Sequence, residues 1–489
     1  MILCLLLVLS SVMAAFAQGK FPQVILKGDY ADPSIMREGR DFYMTHSPFN
    51  YNPGFLIWHS QDLVHWEPIC RAVTGFISNA MAPDLLKYKD KYYLYYPANG
   101  KTYVCITQNI KGPWSAPIEV KGAVGIDPGH VVTADGKRYL FTNNGRMAQL
   151  NEEGTALVEP MRTVYEGWDI PKDWVTEGKW PEKYLESPKL IYYNGYYYLT
   201  SAEGGTAGPA TSHMVVSARA KSLDGPWEES PYNPIIHTWS ANEEWWSKGH
   251  GTLIDDADGN WWMVYHAYKK GFHTLGRQTL LEPIEWTNDG WFKAANHAHL
   301  PEASKDIKHG LTLSDEFKSK SLGLQWTFYR ELAPQAIQVG NGRLQMEGKG
   351  QSAAAARYLL TTAEDEKYDI QVEVNAGKTQ AGLMLFYNEK AFSGISADVK
   401  NFYLYHEGKL LKKMAHKNGG HTFFRLSNTD NVLAISVSQN GKSWTVLASG
   451  LQLSEMNHNK LFGFLALRPA LMTMGDGKAV FKNFKYQTK

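Results

Sequence analysis

The sequence predicts an all-β fold, a five-bladed β-propeller followed by a β-sandwich, and three observations predict it. One hairpin phrase recurs five times in the first three hundred residues: a polar anchor, an apolar run, a Gly/Asp turn and an aromatic-rich strand. The same region is rich in Val, Ile, Tyr, Phe and Trp, is punctuated by N-G, D-G and G-G turns, and shows no sustained helical period. From Leu311 the texture changes to period-two alternation, as in Y-D-I-Q-V-E-V and V-L-A-I-S-V-S, with a hairpin turn at Asn440-Gly441.

The first element in chain order is an apolar stretch ending in Ala15-Phe16-Ala17, a small-x-small site before Gln18. Residues 1–17 are therefore expected to be a cleaved signal peptide, although they lack a charged n-region, and the mature protein is expected in the periplasm or outside the cell. The stretch is shorter than the ~20 residues that span a bilayer, so no membrane span is expected in the mature chain. Residues 18–302 hold the five copies, which begin D-P-S-I-M at Asp32, P-D-L-L-K at Pro83, D-P-G-H-V at Asp127, E-S-P-K-L at Glu186 and H-G-T-L-I at His250. A spacing of roughly 40 to 65 residues gives one blade per copy. Trp-containing segments at 58–66, 112–117 and 225–230 fall between copies, where outer blade strands are expected. The polar stretch 303–310 reads as a linker, and 311–489 as the sandwich, whose expected role is structural support.

Composition narrows the function. Lys+Arg 50 against Asp+Glu 49 leaves no basic footprint for a nucleic-acid partner. Aromatics make up 13% of the chain; flat rings stack on sugar C–H faces, but repeats such as Tyr196-Tyr197-Tyr198 must also fill strand cores. Beyond the signal only Cys70 and Cys105 remain, too few for a disulfide framework and without metal-ligand spacing. Both read as buried strand residues, with a single bridge between them left open.

Radial blades bring equivalent positions around one channel, so Asp32, Asp84, Asp127, Glu186 and His250 are candidates for a single pocket. Several carboxyl groups in one pocket suit glycosidic acid/base chemistry, which needs one group to protonate the leaving oxygen and another to deliver a nucleophile. The competing reading is that each carboxylate caps a strand turn, as Asp before Pro commonly does. For Asp84 both readings stand level. The acidic runs Glu152-Glu153 and Glu243-Glu244 read as solvated loop residues.

The ordered set D-P, A-P-D, I-D-P, E-S-P and G-H-G resembles glycoside hydrolase family 43, the β-xylosidases, α-L-arabinofuranosidases and arabinanases built on a five-bladed propeller. The stretches from Phe49 to Trp66 and from Leu275 to Trp286 are similar to that family's β-xylosidase-like branch, and the C-terminal part resembles the concanavalin-like sandwich often appended there. The resemblance implies that Glu186 is the general acid, Asp32 the base that activates water, and Asp127 the residue that keeps Glu186 protonated and oriented. It places Phe49, Arg277 and His250 against the sugar, with His46 and Trp58 as further wall candidates; Trp58 reads equally well as blade core. No cofactor is required, but the family histidine matched by His250 is associated with a water-coordinated cation, which points to a structural Ca²⁺ in the channel with His250 as a ligand through water. The sequence departs from the family where Met81 replaces the aromatic residue often found before A-P-D.

The implied function is an exported, exo-acting, inverting hydrolase that releases terminal β-D-xylose or α-L-arabinofuranose from plant-type polysaccharide fragments. A galactosidase or endo-arabinanase on the same scaffold, and a non-catalytic carbohydrate-binding propeller, remain the alternatives. Three converging acids argue against the last.

Overall fold

The structure, a computed structural model, describes residues 21–174, 183–295 and 309–489. The expected signal peptide at 1–17 and residues 303–308 of the expected linker lie outside the described residues. Five antiparallel sheets form the propeller. Their innermost strands are Ser34–Glu38, Asp84–Tyr88, Gly129–Val132, Glu186–Tyr193 and Trp245–Asp255. Each inner strand contacts the next around a closed circle, the last touching the first. Closure is covalently economical: Gln23–Leu26 pairs with Arg277–Trp286 and completes the fifth blade, so the two ends of the propeller segment are hydrogen-bonded to one another. Radial repetition leaves each blade only short, protected edges.

The recurring aromatic strands are second strands, sandwiched between neighbouring blades. Lys91–Ala98 is buried at every position after the first, and Tyr196–Glu203 likewise. Most of the aromatic excess therefore fills the spaces between blades, as with Tyr93, Tyr95 and Tyr198. Cys70 and Cys105 are both free. Each lies in a strand of the first or second blade, and burial pushes both thiols up to about 11.

The C-terminal part is a sandwich of a seven-stranded and an eight-stranded antiparallel sheet. In the first, strands such as Lys367–Asn375 and His421–Thr429 alternate buried with less buried positions, which is the period-two signal seen in the sequence. In the second, Gln380–Asn388 and Ala391–Ala397 are buried almost throughout, so both faces of that sheet are covered at its centre, while its edge strand Lys409–Ala415 is exposed.

The propeller contributes directly to this second sheet. Tyr51–Asn52, from a loop of the first blade, pairs with Thr327–Tyr329 as its edge strand. Ala31, Phe49, Tyr51 and Leu275 of the propeller belong to the same apolar core as the sandwich. A buried ion pair also crosses the junction: Arg468 Nη2 donates to Asp29 Oδ2 (3.1 Å) while its guanidinium lies 3.7 Å from the centre of the Tyr51 ring. Such continuity makes the sandwich a structural partner of the propeller. Deleting residues 311–489 should expose this core and give insoluble or aggregated protein, measured as soluble yield and by light scattering. A soluble propeller that lost only affinity for polymer would instead mark the sandwich as a binding module.

Candidate active site

Each inner strand carries, just before it or within it, a residue held in the left-handed region: Asp32 (φ 55°), Ala82 (φ 38°), Asp127 (φ 56°) and Ser187 (φ 54°), each immediately before proline, and His250 (φ 55°), before Gly251. This is the true repeat. It shifts two of the sequence anchors, because Ala82 rather than Asp84 and Ser187 rather than Glu186 are the structural counterparts of Asp32. Non-glycine residues here are strained and persist only where their surroundings fix them.

The fixing contacts build the site. Asp32, at the head of the first blade, accepts from Arg277 Nη1 of the fifth blade at Oδ1 (2.9 Å) and from Ser47 Oγ at Oδ2. Its own N–H donates to His266 Nδ1 (3.0 Å). His266 therefore carries its proton on Nε2, facing Thr206 Oγ1 (3.1 Å). His250 Nδ1 lies 3.5 Å from Asp32 Oδ1 and 4.0 Å from Asp127 Oδ2, between the two acids. Asp127 accepts the Ser187 N–H at Oδ2 (3.2 Å), which ties the second acid to the strand that begins with Glu186. A bulge in the pairing between Glu186 and Lys189 turns the Glu186 side chain out of the blade and toward the pocket.

Burial sets the charge states. It opposes ionisation of Asp32 most strongly of any single influence, but the Arg277 guanidinium, together with His250 and His266, more than offsets it and holds that carboxyl well below the usual range. Burial and then the charge of Asp32 push Asp127 up to about 7. Burial and then Asp127 and Asp32 hold Glu186 well above an ordinary glutamate. His250 is pushed down to about 3, again by burial, so it sits among the acids as a neutral ring. One carboxylate kept ionised beside another kept protonated is the division of labour that general acid/base chemistry requires.

These groups line one cavity of about 330 Å³ together with Phe49, Met81, Ala82, Ile126, Tyr184, Thr206, Arg277 and Phe464. Residues 21–292 match the family described as Glycosyl hydrolases family 43.

The chain belongs to that family.

Residues 314–487 match its companion, the Beta xylosidase C-terminal Concanavalin A-like domain. Family 43 glycoside hydrolases need no cofactor for catalysis. Among curated relatives, the chain is 32% identical over 352 residues to a non-reducing end alpha-L-arabinofuranosidase of Bacteroides ovatus, covering 65% of this chain and 63% of that one. It is 35% identical to a xylosidase/arabinosidase of Butyrivibrio fibrisolvens, over 55% of each chain. With a xylan 1,3-beta-xylosidase of a Vibrio species it shares 29% identity, over 74% of this chain and 76% of that one. It thus spans less than two thirds of the length of the first two. A crystal structure of a GH43 protein from Bacillus licheniformis superposes with a TM-score of 0.86 at 26% identity, over 96% of this chain and 100% of that one.

Asp32, Asp127, Glu186, Phe49, Arg277 and His250 all line this one pocket. Asp84 is not: it lies further along the channel, bound to Lys189. Trp58 is blade core, fully buried against Tyr30 and His309. His46 lines a neighbouring small cavity at the junction with the sandwich. No local pattern in the chain marks Phe464. Its ring stacks on Phe49 (centroids 6.2 Å apart), and the Arg277 guanidinium lies 5.4 and 5.2 Å from the two ring centres. His266 closes the fifth hairpin copy, so its position at the axis was there to be read, but not its contact with Asp32.

The expected channel Ca²⁺, with His250 as a ligand through water, gains no direct ligand set from these residues. Two groups bring possible ligand atoms within 4.8 Å of one another: Asp32 with His250 and His266, and Asp127 with Glu186 and His250. In the first, Asp32 Oδ1 already accepts from Arg277 and His266 Nδ1 from a backbone N–H. In the second, both carboxyls favour the protonated form. Calcium takes six to eight oxygens, and these groups offer too few free ones.

Asp127 provides a test of the electrostatics. A buried acid with a raised pKa keeps its proton in the fold and loses it when unfolded, so its contribution to stability is full below 3.8 and is lost as the pH rises to about 7. Asp127→Asn should leave Tm nearly unchanged near pH 4 and raise it by a few degrees at about pH 8, measured by calorimetry. An equal shift at both values would refute the buried-acid assignment.

Proposed function

We propose that the protein is an exo-acting, inverting glycosidase that releases terminal β-D-xylose or α-L-arabinofuranose from plant-type polysaccharide fragments. Glu186 protonates the leaving oxygen, Asp32 activates the attacking water, and Asp127 orients Glu186 and keeps it protonated. The observation that carries the proposal is the pairing of unlike charge states in one pocket: Asp32 held ionised by Arg277 with His250 and His266, Glu186 held protonated by burial and Asp127. Relatives named for xylosidase and arabinofuranosidase activities support the choice of sugars. Phe49 and Phe464 offer apolar faces to the sugar, and Arg277 Nη2, buried and without a hydrogen-bond partner among the described residues, is available to a hydroxyl.

Exo action is supported by the sandwich segment that carries Phe464. Asn459 Oδ1 of the same segment accepts from Gly208 N–H of the fourth blade (3.3 Å), while Phe464 stacks on Phe49 of the first. The segment therefore reaches from one side of the pocket to the other and walls it. A volume of about 330 Å³ is at the small end for ligand sites, ~300 to 1,000 Å³. Export is supported by the apolar N-terminal stretch and its Ala15-Phe16-Ala17 site; N-terminal sequencing of secreted protein should begin at Gln18.

Asp32→Asn and Glu186→Gln should each nearly abolish hydrolysis of natural oligosaccharides. They should differ on nitrophenyl glycosides, whose leaving groups need little protonation: Glu186→Gln should retain more activity there, Asp32→Asn should not. Near-normal turnover of natural substrate by either folded variant would overturn the assignment. Proton NMR should show inverted anomeric configuration in the first-formed product. Pentosides should be cleaved faster than hexosides, because a C6 hydroxymethyl buried without partners costs about 1 to 3 kcal/mol, a roughly tenfold to hundredfold penalty. Met81, a flexible thioether in the wall, is where extra room would be found. Faster cleavage of a β-galactoside than of both pentosides would refute the pentosidase reading and leave the acid/base roles standing.

A further inference from the structure

Beneath the acids the propeller axis holds a cation of its own. Lys189, three residues after Glu186 on the same strand, is almost fully buried. Its Nζ donates to Asp84 Oδ1 (2.7 Å), to the Pro83 carbonyl (2.9 Å) and to the Pro128 carbonyl (3.2 Å). The oxygens come from the second and third blades, so one ammonium joins three blades across the channel. Asp84 is fixed in turn, its Oδ2 accepting the His130 N–H (2.8 Å).

The position of this ammonium matters because of what lies between it and the pocket. Glu186 and Lys189 flank the bulge that contains Ser187, whose left-handed conformation aims Glu186 inward. Above, the bulge is held by the Ser187 N–H bond to Asp127; below, by Lys189. Gly129 packs so tightly on it that a Cβ there would meet the Pro188 carbonyl oxygen at 1.7 Å. Pro128, one of the Lys189 acceptors, directly follows Asp127. A single side chain thus sets the acid's strand against the residue that tunes it.

We propose that Lys189 is a positioning residue whose ammonium serves as the built-in cation of the propeller axis, holding Glu186 and Asp127 in register and making a divalent ion there unnecessary. The proposal rests on the roles given to Glu186 and Asp127 above. Its carbonyl and carboxylate cage is what an oxygen-seeking metal would otherwise use. The charge also acts on the acids: Asp127 faces Asp32, Glu186, His250, Arg277 and Lys189, and the last two are its fixed positive neighbours.

The opposite end of the channel opens through a cavity of about 280 Å³ lined by Asp84, His130, Lys189 and Thr252, which gives small solutes a route to the cage. Lys189→Met keeps the stem and removes the charge; Lys189→Ala empties the cage. The Met variant should lose roughly tenfold or more in kcat with little change in KM, and the basic limb of its pH profile should move to higher pH, because loss of a positive neighbour raises Asp127, to which Glu186 is coupled. The Ala variant should regain activity and Tm with methylammonium or Ca²⁺, whereas wild-type kcat and Tm should be indifferent to chelator and to added Ca²⁺. A folded Met variant with wild-type kcat and pH profile would overturn the proposal, as would a wild-type enzyme inactivated by chelator and restored by Ca²⁺. Glu186→Gln assayed alongside separates the cases: an active Glu186→Gln refutes the acid assignment, not the cage.

Discussion

Among the described residues, four carboxyl groups and two cations share the axis of this propeller, and that imbalance governs the site. Asp32 is matched by Arg277 and Asp84 by Lys189, each pair buried and within hydrogen-bonding distance. Asp127 and Glu186 have no counter-charge of their own. A buried carboxylate without a partner is so unfavourable that it holds its proton instead, and the pair is accordingly raised. The protonated acid is thus a consequence of how many cations the axis holds. Removing Arg277 would take away the largest of the influences that favour the ionised form of Asp32.

Ring closure is what lets residues so far apart in sequence share one electrostatic environment. Arg277 reaches Asp32 because Gln23–Leu26 sits beside the strand that begins with Arg277 and closes the circle. The Ser47 hydroxyl then passes the constraint on, donating to Asp32 while accepting the Ala82 N–H (2.6 Å) of the second blade. Backbone strain at Asp32, Asp127, Ser187 and His250 is held in place by these same bonds. A binding-only pocket would have no need to hold several such residues at its axis.

Much of this was legible in the chain because a propeller repeats its local chemistry. Five hairpins, their order and the acids at Asp32, Asp127 and Glu186 could be read directly. Register could not, since a match of apolar runs tolerates a shift of one or two residues; only the left-handed residue before proline shows that Ser187, not Glu186, is the counterpart of Asp32. The same slip hid Asp84, whose place two residues beyond Ala82 puts it on the far side of the acids. Lys189 was visible in E-S-P-K but looked like any strand lysine, because what distinguishes it is a cage assembled from two other blades. Phe464 was beyond reach for a different reason. Nothing local marks a ring that acts only once two domains have docked.

Docking therefore belongs to the catalytic architecture as well as to stability. Tyr51–Asn52 extends the sandwich sheet, and Phe49, two residues earlier, faces the pocket, so a single short loop of the first blade serves both structures. Phe49 is itself left-handed (φ 49°) and held by paired backbone bonds with Ala80. Any rotation of the sandwich would pull on this strand and move the Phe49 ring away from Arg277 while carrying Phe464 with it. The shared apolar core and the Asp29 to Arg468 pair resist that rotation. The geometry that keeps Arg277 on Asp32, and so keeps the base ionised, is in this way fastened from outside the propeller.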